Sequence, residues 1–176
     1  LSSDYSVNIA QYLDMRHAPG GLDFELLVEC LKDMARATEA PYLRLVEVDG
    51  EPRQVVDPQL PYEATIIDFR SADDPVAEAI ACMREEYQRP LDMYADDLVA
   101  TMLLKVADDR TFWYMRAHHI AVDGYAALTT LRMTVERYNA ARRGAPLEEK
   151  PFATLAEVVA DDEKYQASTR RANDAA

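Results

Sequence analysis

Residues 98–117 read LVATMLLKVADDRTFWYMRA, two apolar runs separated by a short polar turn at residues 107–110. The first run, residues 98–106, is almost continuously apolar, which is typical of a central strand buried on both faces. The second run, residues 111–117, returns after the turn and completes a hairpin. This segment therefore predicts the centre of a β-sheet.

Further strands are predicted on the N-terminal side of this central hairpin. In residues 6–16 the odd-numbered positions, which are mostly apolar, alternate with the even-numbered positions, as expected for a strand with one buried face. Residues 42–56 indicate a second hairpin, because Asp49-Gly50 is a turn pair that joins adjacent strands. A short apolar run predicts another strand at residues 64–69.

Four helices are predicted, and the first three carry the apolar spacing that is typical of one buried helix face. The first two begin at Asp23 and at Asp74-Pro75, since Asp caps a helix and Pro fits its first turn. The last begins at the capping box TLAE, residues 154–157. Mixed strands and helices without repeats predict an α+β fold, with a mixed sheet and helices packed against it. The predicted helices cover residues 24–40, 75–89, 125–141 and 155–169.

The third predicted helix follows the central hairpin and shows one apolar stripe. Large apolar side chains at this spacing are expected to pack against the sheet. The stripe consists of Leu128, Leu131, Val135 and Tyr138. The residues that we expect to be buried are Leu103, Met115, Leu128 and Leu131.

The chain has 176 residues and a formal net charge of −13, from 19 Lys and Arg against 32 Asp and Glu. Its length fits a single domain of roughly 100–200 residues. The negative charge argues against nucleic acid and against an anionic membrane surface as partners, because phosphate groups repel it. No apolar run approaches the roughly 18 residues of a membrane span. The first residues also lack the basic start and apolar stretch of a signal peptide.

Cys30 and Cys82 lie inside helical apolar patterns. We expect both to be buried thiols rather than a disulfide, as in a protein of a reducing compartment. The expected location is therefore cytoplasmic. The chain starts abruptly in the lead-in to a strand, so we expect it to be a piece of a longer protein.

Two adjacent histidines, His118 and His119, end the second strand of the central hairpin, and Asp123-Gly124 precede the third helix. Neighbouring side chains of a strand point to opposite faces, so one histidine is expected inside and the other at an opening. A helix N-terminus supplies free N–H groups that can bind a developing oxyanion. A neutral imidazole beside them could accept a proton near pH 7.

Other interpretations of this histidine pair remain open from the residues alone. The pair can be purely structural, or it can join Asp123 as three ligands of a zinc ion. Adjacent histidines at a strand end seldom converge on one ion, which disfavours zinc. A serine nucleophile elbow and glycine-rich phosphate-binding fingerprints are absent from the sequence, which has only 5 glycines.

The segment HHIAVDG, residues 118–124, matches in full the HHxxxDG motif of condensation domains of nonribosomal peptide synthetases. Three other segments resemble the same family. Residues 43–56 contain its LR pair, its acidic-Gly turn and its QxV sequence, here QVV. Residues 89–92 (RPLD) resemble its PLDL stretch, and residues 154–168 resemble its segment from TL to YQAS. The resemblance covers nearly the whole chain.

The resemblance implies a fold and a partial domain. Condensation domains are V-shaped pairs of lobes, each similar to chloramphenicol acetyltransferase. Residues 1–176 resemble the N-terminal lobe, incomplete at its N-terminus, and the C-terminal lobe is absent. The family's tunnel runs between the lobes, so the fragment is expected to be inactive alone.

The implied activity is amide (peptide) bond formation between acyl and aminoacyl thioesters in secondary metabolite biosynthesis. Donor and acceptor peptidyl carrier domains deliver these groups on phosphopantetheine arms, and an adenylation domain is a further implied partner. The missing C-terminal lobe would complete the site. The resemblance implies no directly bound cofactor and no metal.

The resemblance also implies roles for the motif residues. His119 is the catalytic base or positioning group for the acceptor amine, and the Gly124 N–H faces the oxyanion. His118 is structural and packs inward. Tyr125 and Ala126 are candidates for the lining of the substrate tunnel.

Asp123 is implied to be structural, oriented away from the substrate and paired with an arginine. The family's RHExLR segment is degraded in this chain, so the register of that partner stays open. Aligned from the Leu-Arg pair, the partner falls on Arg44. Aligned from Asp49-Gly50, it falls on Tyr42.

Other functions are alternatives to amide bond formation. An epimerization domain has a Ser-Trp pair where this chain has Ala126-Ala127, and a cyclization domain replaces the histidines with aspartates. An acyl-CoA-dependent acyltransferase of the same superfamily and a non-catalytic docking domain remain as alternatives. A missing lobe further predicts an exposed apolar surface larger than the few hundred Å² usual for monomers.

Overall fold

The computed structural model describes residues 7–18, 21–146 and 152–174. Residues 1–6, which include the start of the first predicted strand, lie outside this described part. Strands and helices are mixed, as predicted for an α+β fold. In chain order the elements are β1 (Asn8–Arg16), α1 (Phe24–Thr38), a short 3₁₀ helix (Ala40–Tyr42), β2 (Leu43–Val48), β3 (Glu51–Val56), β4 (Thr65–Asp68), α2 (Pro75–Gln88), β5 (Val99–Ala107), β6 (Arg110–His118), α3 (Gly124–Arg143), α4 (Leu155–Gln166) and α5 (Thr169–Asp174).

Four strands form the main sheet in the order β1-β6-β5-β4. The predicted central hairpin is confirmed, because β5 and β6 pair antiparallel with Leu103 opposite Trp113. β1 pairs antiparallel with the outer edge of β6, and β4 runs parallel to β5. Each of the two central strands therefore has a neighbour on both edges, and both are buried along nearly their whole length.

Each face of the sheet is covered by helices. On one face, Ala79 and Met83 of α2 pack against Phe112 and Tyr114 of β6. On the other face, α1 and α3 cover Trp113 together with Leu103 of β5. Alternate residues of β6 thus belong to two separate cores.

The hairpin of β2 and β3 forms its own two-stranded sheet. Leu43 and Leu45 of β2 pack against Leu98 at the start of the central hairpin. Ala121, in the loop after β6, and Leu155, at the start of α4, join the same cluster. The hairpin therefore braces the loop that carries the histidine motif.

The predicted burial is confirmed for most residues and wrong for one. Leu103 is 0% and Met115 8% exposed, and Leu131 is partly buried in the core of the α1–α3 face. Leu128 is 61% exposed. The residue of α3 that enters the core at this level is its neighbour Ala127, at 1% exposure, because a small side chain lets the helix approach the sheet closely.

The helix spans and the cysteines differ from expectation only in detail. Ile80, an apolar residue of the second predicted helix, is 38% exposed. The last predicted helix is divided into α4 and α5. Cys30 is buried and Cys82 is half-buried, and both are free thiols as predicted.

Candidate active site

The candidate site is the loop between β6 and α3, whose path is set by backbone hydrogen bonds. The His118 N–H donates to the Leu98 carbonyl at 2.8 Å, which is the last contact of the central hairpin. The Ala121 N–H then turns back to the His118 carbonyl at 2.9 Å. The loop therefore leaves the sheet immediately after the histidine pair.

His118 points into the protein. Its side chain and backbone together are only 8% exposed, and the ring Nδ1 accepts a hydrogen bond from the Ile120 N–H at 3.1 Å. Burial, followed by the charges of Arg116 and His119, holds the pKa of His118 below its usual 6.5. His118 is therefore neutral at pH 7, with its proton on Nε2 because Nδ1 is an acceptor.

His119 is exposed, as the alternation of the strand predicts. Its backbone N–H donates to the Val7 carbonyl at 3.0 Å, which holds the residue against β1. Within the described part of the chain, no hydrogen bond to its imidazole is found. Both ring nitrogens are thus available to a molecule bound outside the lobe.

Asp123 is the N-cap of α3, and within the described part of the chain it pairs with no arginine. Its carboxylate accepts the Ala126 N–H at 2.7 Å, and the residue is exposed. The expectation of a buried Asp123 paired with an arginine is therefore wrong. No such ion pair occurs among residues 7–18, 21–146 and 152–174. The buried Nε of Arg44 lacks a hydrogen-bond partner there as well. An exposed carboxylate that caps a helix needs no cation to offset its burial.

Gly124, Tyr125 and Ala126 form the exposed first turn of α3. Asp123 caps only the third of their N–H groups, and those of Gly124 and Tyr125 find no acceptor in the described chain. A Cβ on Gly124 would meet nothing within 4 Å, so the backbone there faces open space. Two free N–H groups at the positive end of a helix are thus presented close in sequence to His119.

Large apolar side chains that follow the histidine pair in the sequence are exposed. Tyr125 is 82% and Leu128 61% exposed, and Ile120 is 36% exposed. These three residues lie on the motif loop and the first turns of α3. They are the kind of exposed apolar surface that the sequence predicts, and the size of the patch stays a prediction.

The β2–β3 hairpin supports the loop through one further contact. The Gln54 side-chain N–H donates to the Ile120 carbonyl at 3.3 Å. Gln54 belongs to the QVV sequence, which pointed to the family without assigning the residue a role. Its position on the hairpin explains why a distant segment matters for the loop geometry.

Sequence reasoning missed a buried polar cluster beside the motif. Arg116, two residues before His118 and on the same face of β6, is 0% exposed. It pairs with Glu86 of α2 at 3.0 Å, and the Tyr114 hydroxyl donates to the same carboxylate at 3.0 Å. The available signal was an arginine inside an otherwise apolar strand, because such a charge needs a buried partner.

Metal binding and membrane insertion concern further features of the described residues. Among the described residues, no group of three or more His, Cys, Asp or Glu side chains lies close enough together to hold a metal ion. The divergence of His118 and His119 accounts for this at the motif. Among the same residues, no helix has both the length and the hydropathy to cross a bilayer.

Comparison with known proteins places this geometry in a family. The family model described as the condensation domain matches residues 5–176. The chain belongs to the condensation domain family. Its fold is accordingly the chloramphenicol acetyltransferase-like lobe that the sequence predicted.

Curated relatives contain this condensation domain segment within much longer chains. Enterobactin synthase component F of Escherichia coli (strain K12) is 33% identical over 171 residues, covering 96% of this chain and 13% of that protein. Isonitrile lipopeptide synthase of Streptomyces coeruleorubidus is 30% identical over 168 residues, covering 95% and 11%. A dimodular nonribosomal peptide synthase of Bacillus subtilis (strain 168) is 27% identical over 167 residues, covering 95% and 7%.

Solved condensation domains share the fold. The starter condensation domain of rhizomide synthetase RzmA superposes with a TM-score of 0.87 at 28% identity, covering 97% of this chain and 41% of that one. A mutant of it in complex with C8-CoA and Leu-SNAC gives a TM-score of 0.88 at 28% identity, covering 97% and 39%. This chain therefore spans about two fifths of the length of these solved domains.

Proposed function

We propose that this chain supplies the histidine-bearing side of a site that forms an amide bond between a thioester-bound acyl group and an amine. The observation that carries the proposal is the imidazole of His119. It is exposed, free of hydrogen bonds from the described chain, and followed within a few residues by the free N–H groups of the α3 N-terminus. A base and an oxyanion site in this arrangement suit acyl transfer.

The proposed reaction proceeds by addition and elimination at the thioester carbonyl. The amine nitrogen attacks the carbonyl carbon, and the new C–N bond places negative charge on the oxygen. The N–H groups of Gly124 and Tyr125 stabilise that oxyanion. His119 orients the amine or takes its proton, the C–S bond breaks, and the departing thiolate receives the proton. His118 stays neutral and holds the loop through Ile120.

The proposed partners follow from the family and from the surface around His119. Two carrier domains deliver the donor and acceptor on phosphopantetheine arms, and an adenylation domain loads the acceptor. A C-terminal lobe covers the apolar side chains of Ile120, Tyr125 and Leu128, which are exposed here. Because one lobe holds only one side of such a site, we expect the isolated chain to form no amide.

The first test is His119→Ala in the full-length natural protein, supplied with two loaded carrier domains. Amide formation, followed by mass spectrometry, is expected to fall by roughly 10²–10⁴-fold, as for removal of a general base. The matched control is His17→Ala, because His17 lies at the far end of β1 and contacts Thr111 rather than the motif. Full activity of His119→Ala would refute the proposal.

A second candidate keeps the same residues but takes the acyl group from coenzyme A. It is favoured by one observation, the solved RzmA starter condensation domain in complex with C8-CoA and Leu-SNAC. Offering octanoyl-CoA and an octanoyl carrier domain in competition separates the two donors. Product from neither donor, with carrier binding intact, would instead indicate a docking domain.

A further inference from the structure

A buried ion pair lies behind the histidine motif, on the α2 face of the sheet. The guanidinium of Arg116 is bidentate to Glu86, with Nε at 3.1 and 3.2 Å from the two carboxylate oxygens and Nη2 at 3.0 Å. The Arg116 side chain is 1% and the Glu86 side chain 17% exposed. The pair is therefore largely removed from water.

The other side of the guanidinium contacts the backbone where β5 begins. Arg116 Nη1 lies 3.4 Å from the carbonyl oxygens of Asp97 and Leu98. The Leu98 carbonyl also accepts the His118 N–H at 2.8 Å. Arg116 and His118 thus share one acceptor, and the guanidinium links helix α2 to the point where the strand ends in the histidine pair.

A contribution to folding stability does not by itself account for the Arg116–Glu86 pair. A buried ion pair is often no more stabilising than apolar side chains of the same volume, because both charges lose their hydration. The neighbouring residues on this face, Phe112 and Met102, are apolar and pack well. What an apolar residue could not do is hold two carbonyl groups and a helix carboxylate in one fixed geometry.

We propose that Arg116, held by Glu86, is a positioning residue that fixes the end of β6 and so the orientation of His118 and the presentation of His119. This inference rests on the condensation function proposed above. The Arg116 charge also helps to keep the pKa of His118 low, so Nδ1 remains an acceptor for the Ile120 N–H. The guanidinium therefore acts on the loop through both the backbone and the inner histidine.

The test separates positioning from folding with a charge-free pair. In the full-length natural protein, Glu86→Gln alone leaves a buried cation without its counter-charge and is expected to lower the melting temperature. The double variant Glu86→Gln/Arg116→Met removes both charges and is expected to recover that temperature. Its kcat is nevertheless expected to fall by roughly 10- to 100-fold with KM within about twofold, because a misplaced group loses rate without losing substrate binding.

The matched control is Arg110→Met/Asp14→Asn. This pair joins β6 to β1 at 2.8 Å, but at the opposite end of the strand from His118. Its kcat is expected to equal that of the wild type. Wild-type kcat in a stable Glu86→Gln/Arg116→Met variant would overturn the proposal.

A conservative variant keeps the test decisive if the double variant does not fold. Arg116→Lys retains the charge but cannot span the carboxylate and the two carbonyl groups, so kcat is again expected to fall. Wild-type kcat in Arg116→Lys would overturn the proposal. An absence of product from the wild type, or full activity of His119→Ala, would instead refute the condensation function itself.

Discussion

Replacing Asp123 distinguishes a helix cap from the buried ion pair that the sequence suggested. Its carboxylate accepts one N–H, from Ala126 at 2.7 Å, and is exposed. Loss of such a cap in Asp123→Ala costs about 1 kcal/mol, within a range of roughly 0.5–2 kcal/mol. Loss of one partner from a buried ion pair costs about 3–5 kcal/mol. The two interpretations therefore differ severalfold in energy.

Hydrogen exchange read by mass spectrometry reports this difference within the full-length protein. A loss of about 1 kcal/mol accelerates exchange of the Ala126 amide, the one first-turn N–H of α3 that the carboxylate holds, by roughly fivefold. Asp123→Asn is expected to leave exchange nearly unchanged, because Asn caps a helix about as well as Asp. Asp74→Ala is the matched control, since Asp74 caps α2 through Ala77 in the same way at 3.0 Å.

The variants Asp123→Ala and Asp74→Ala should differ in catalysis. Both are expected to loosen the first turn of their own helix by a similar amount. Only Asp123→Ala should also lower amide formation, because it loosens the turn that carries the Gly124 and Tyr125 N–H groups proposed to bind the oxyanion. If both Asp123→Ala and Asp123→Asn accelerated hydrogen exchange by roughly 10²-fold or more, the cap would not account for the loss, and a buried ion pair with a cationic partner would be indicated instead.

Two further outcomes follow from burial. Ala127→Leu is expected to cost about 1–3 kcal/mol of unfolding free energy by overpacking the α3–sheet contact, whereas Leu128→Ala should change the unfolding free energy by less than about 0.5 kcal/mol. Urea unfolding compares the two variants, and a larger loss in Leu128→Ala would contradict the observed register of α3. Because the folded pKa of His118 is lowered, the unfolded chain binds more protons below the ordinary value of 6.5. Stability is therefore expected to be full above that pH and to fall as the pH drops further, and His118→Asn should lose this part of the pH dependence in melting experiments.

Local sequence signals predicted most of the architecture because they act over a few residues. The Asp74-Pro75 start of α2 and the capping box at Thr154 and Glu157 are present as hydrogen bonds in the structure. The continuous apolar run of β5 predicted a strand with neighbours on both edges, and it has them. Each of these features depends on geometry that is complete within one element and its nearest neighbour.

The register of α3 was missed for a physical reason. A count of large apolar residues favours Leu128 over Ala127 as a buried position, since it assumes that the chain buries its own hydrophobic groups. In the structure, small residues mark the close contacts, with Ala127, Thr134 and Ala140 buried on α3. Leu128 is instead exposed, and the proposed function covers it with another lobe.

The histidine pair was predictable and its buried support was not. Strand alternation alone is enough to separate His118 from His119. The partner of Arg116 lies 30 residues earlier, on a helix that crosses the other face of the sheet. The pairing depends on how α2 packs across β6, and one sequence carries no signal of that register.

The alternation of β6 explains how one strand serves both the core and the site. Its odd-numbered residues, including Trp113 and Met115, pack under α1 and α3. Its even-numbered residues run from Phe112 through the polar side chain of Arg116 to His118. The polar residues Arg116 and His118 lie at the end of the even-numbered row, where the β5–β6 hairpin stops pairing. The next residue, His119, points outward, and its backbone is held by the contacts of these two residues. A buried inner row with an exposed final side chain gives His119 a defined backbone position without any contact to its ring, which leaves the imidazole open for the role proposed above.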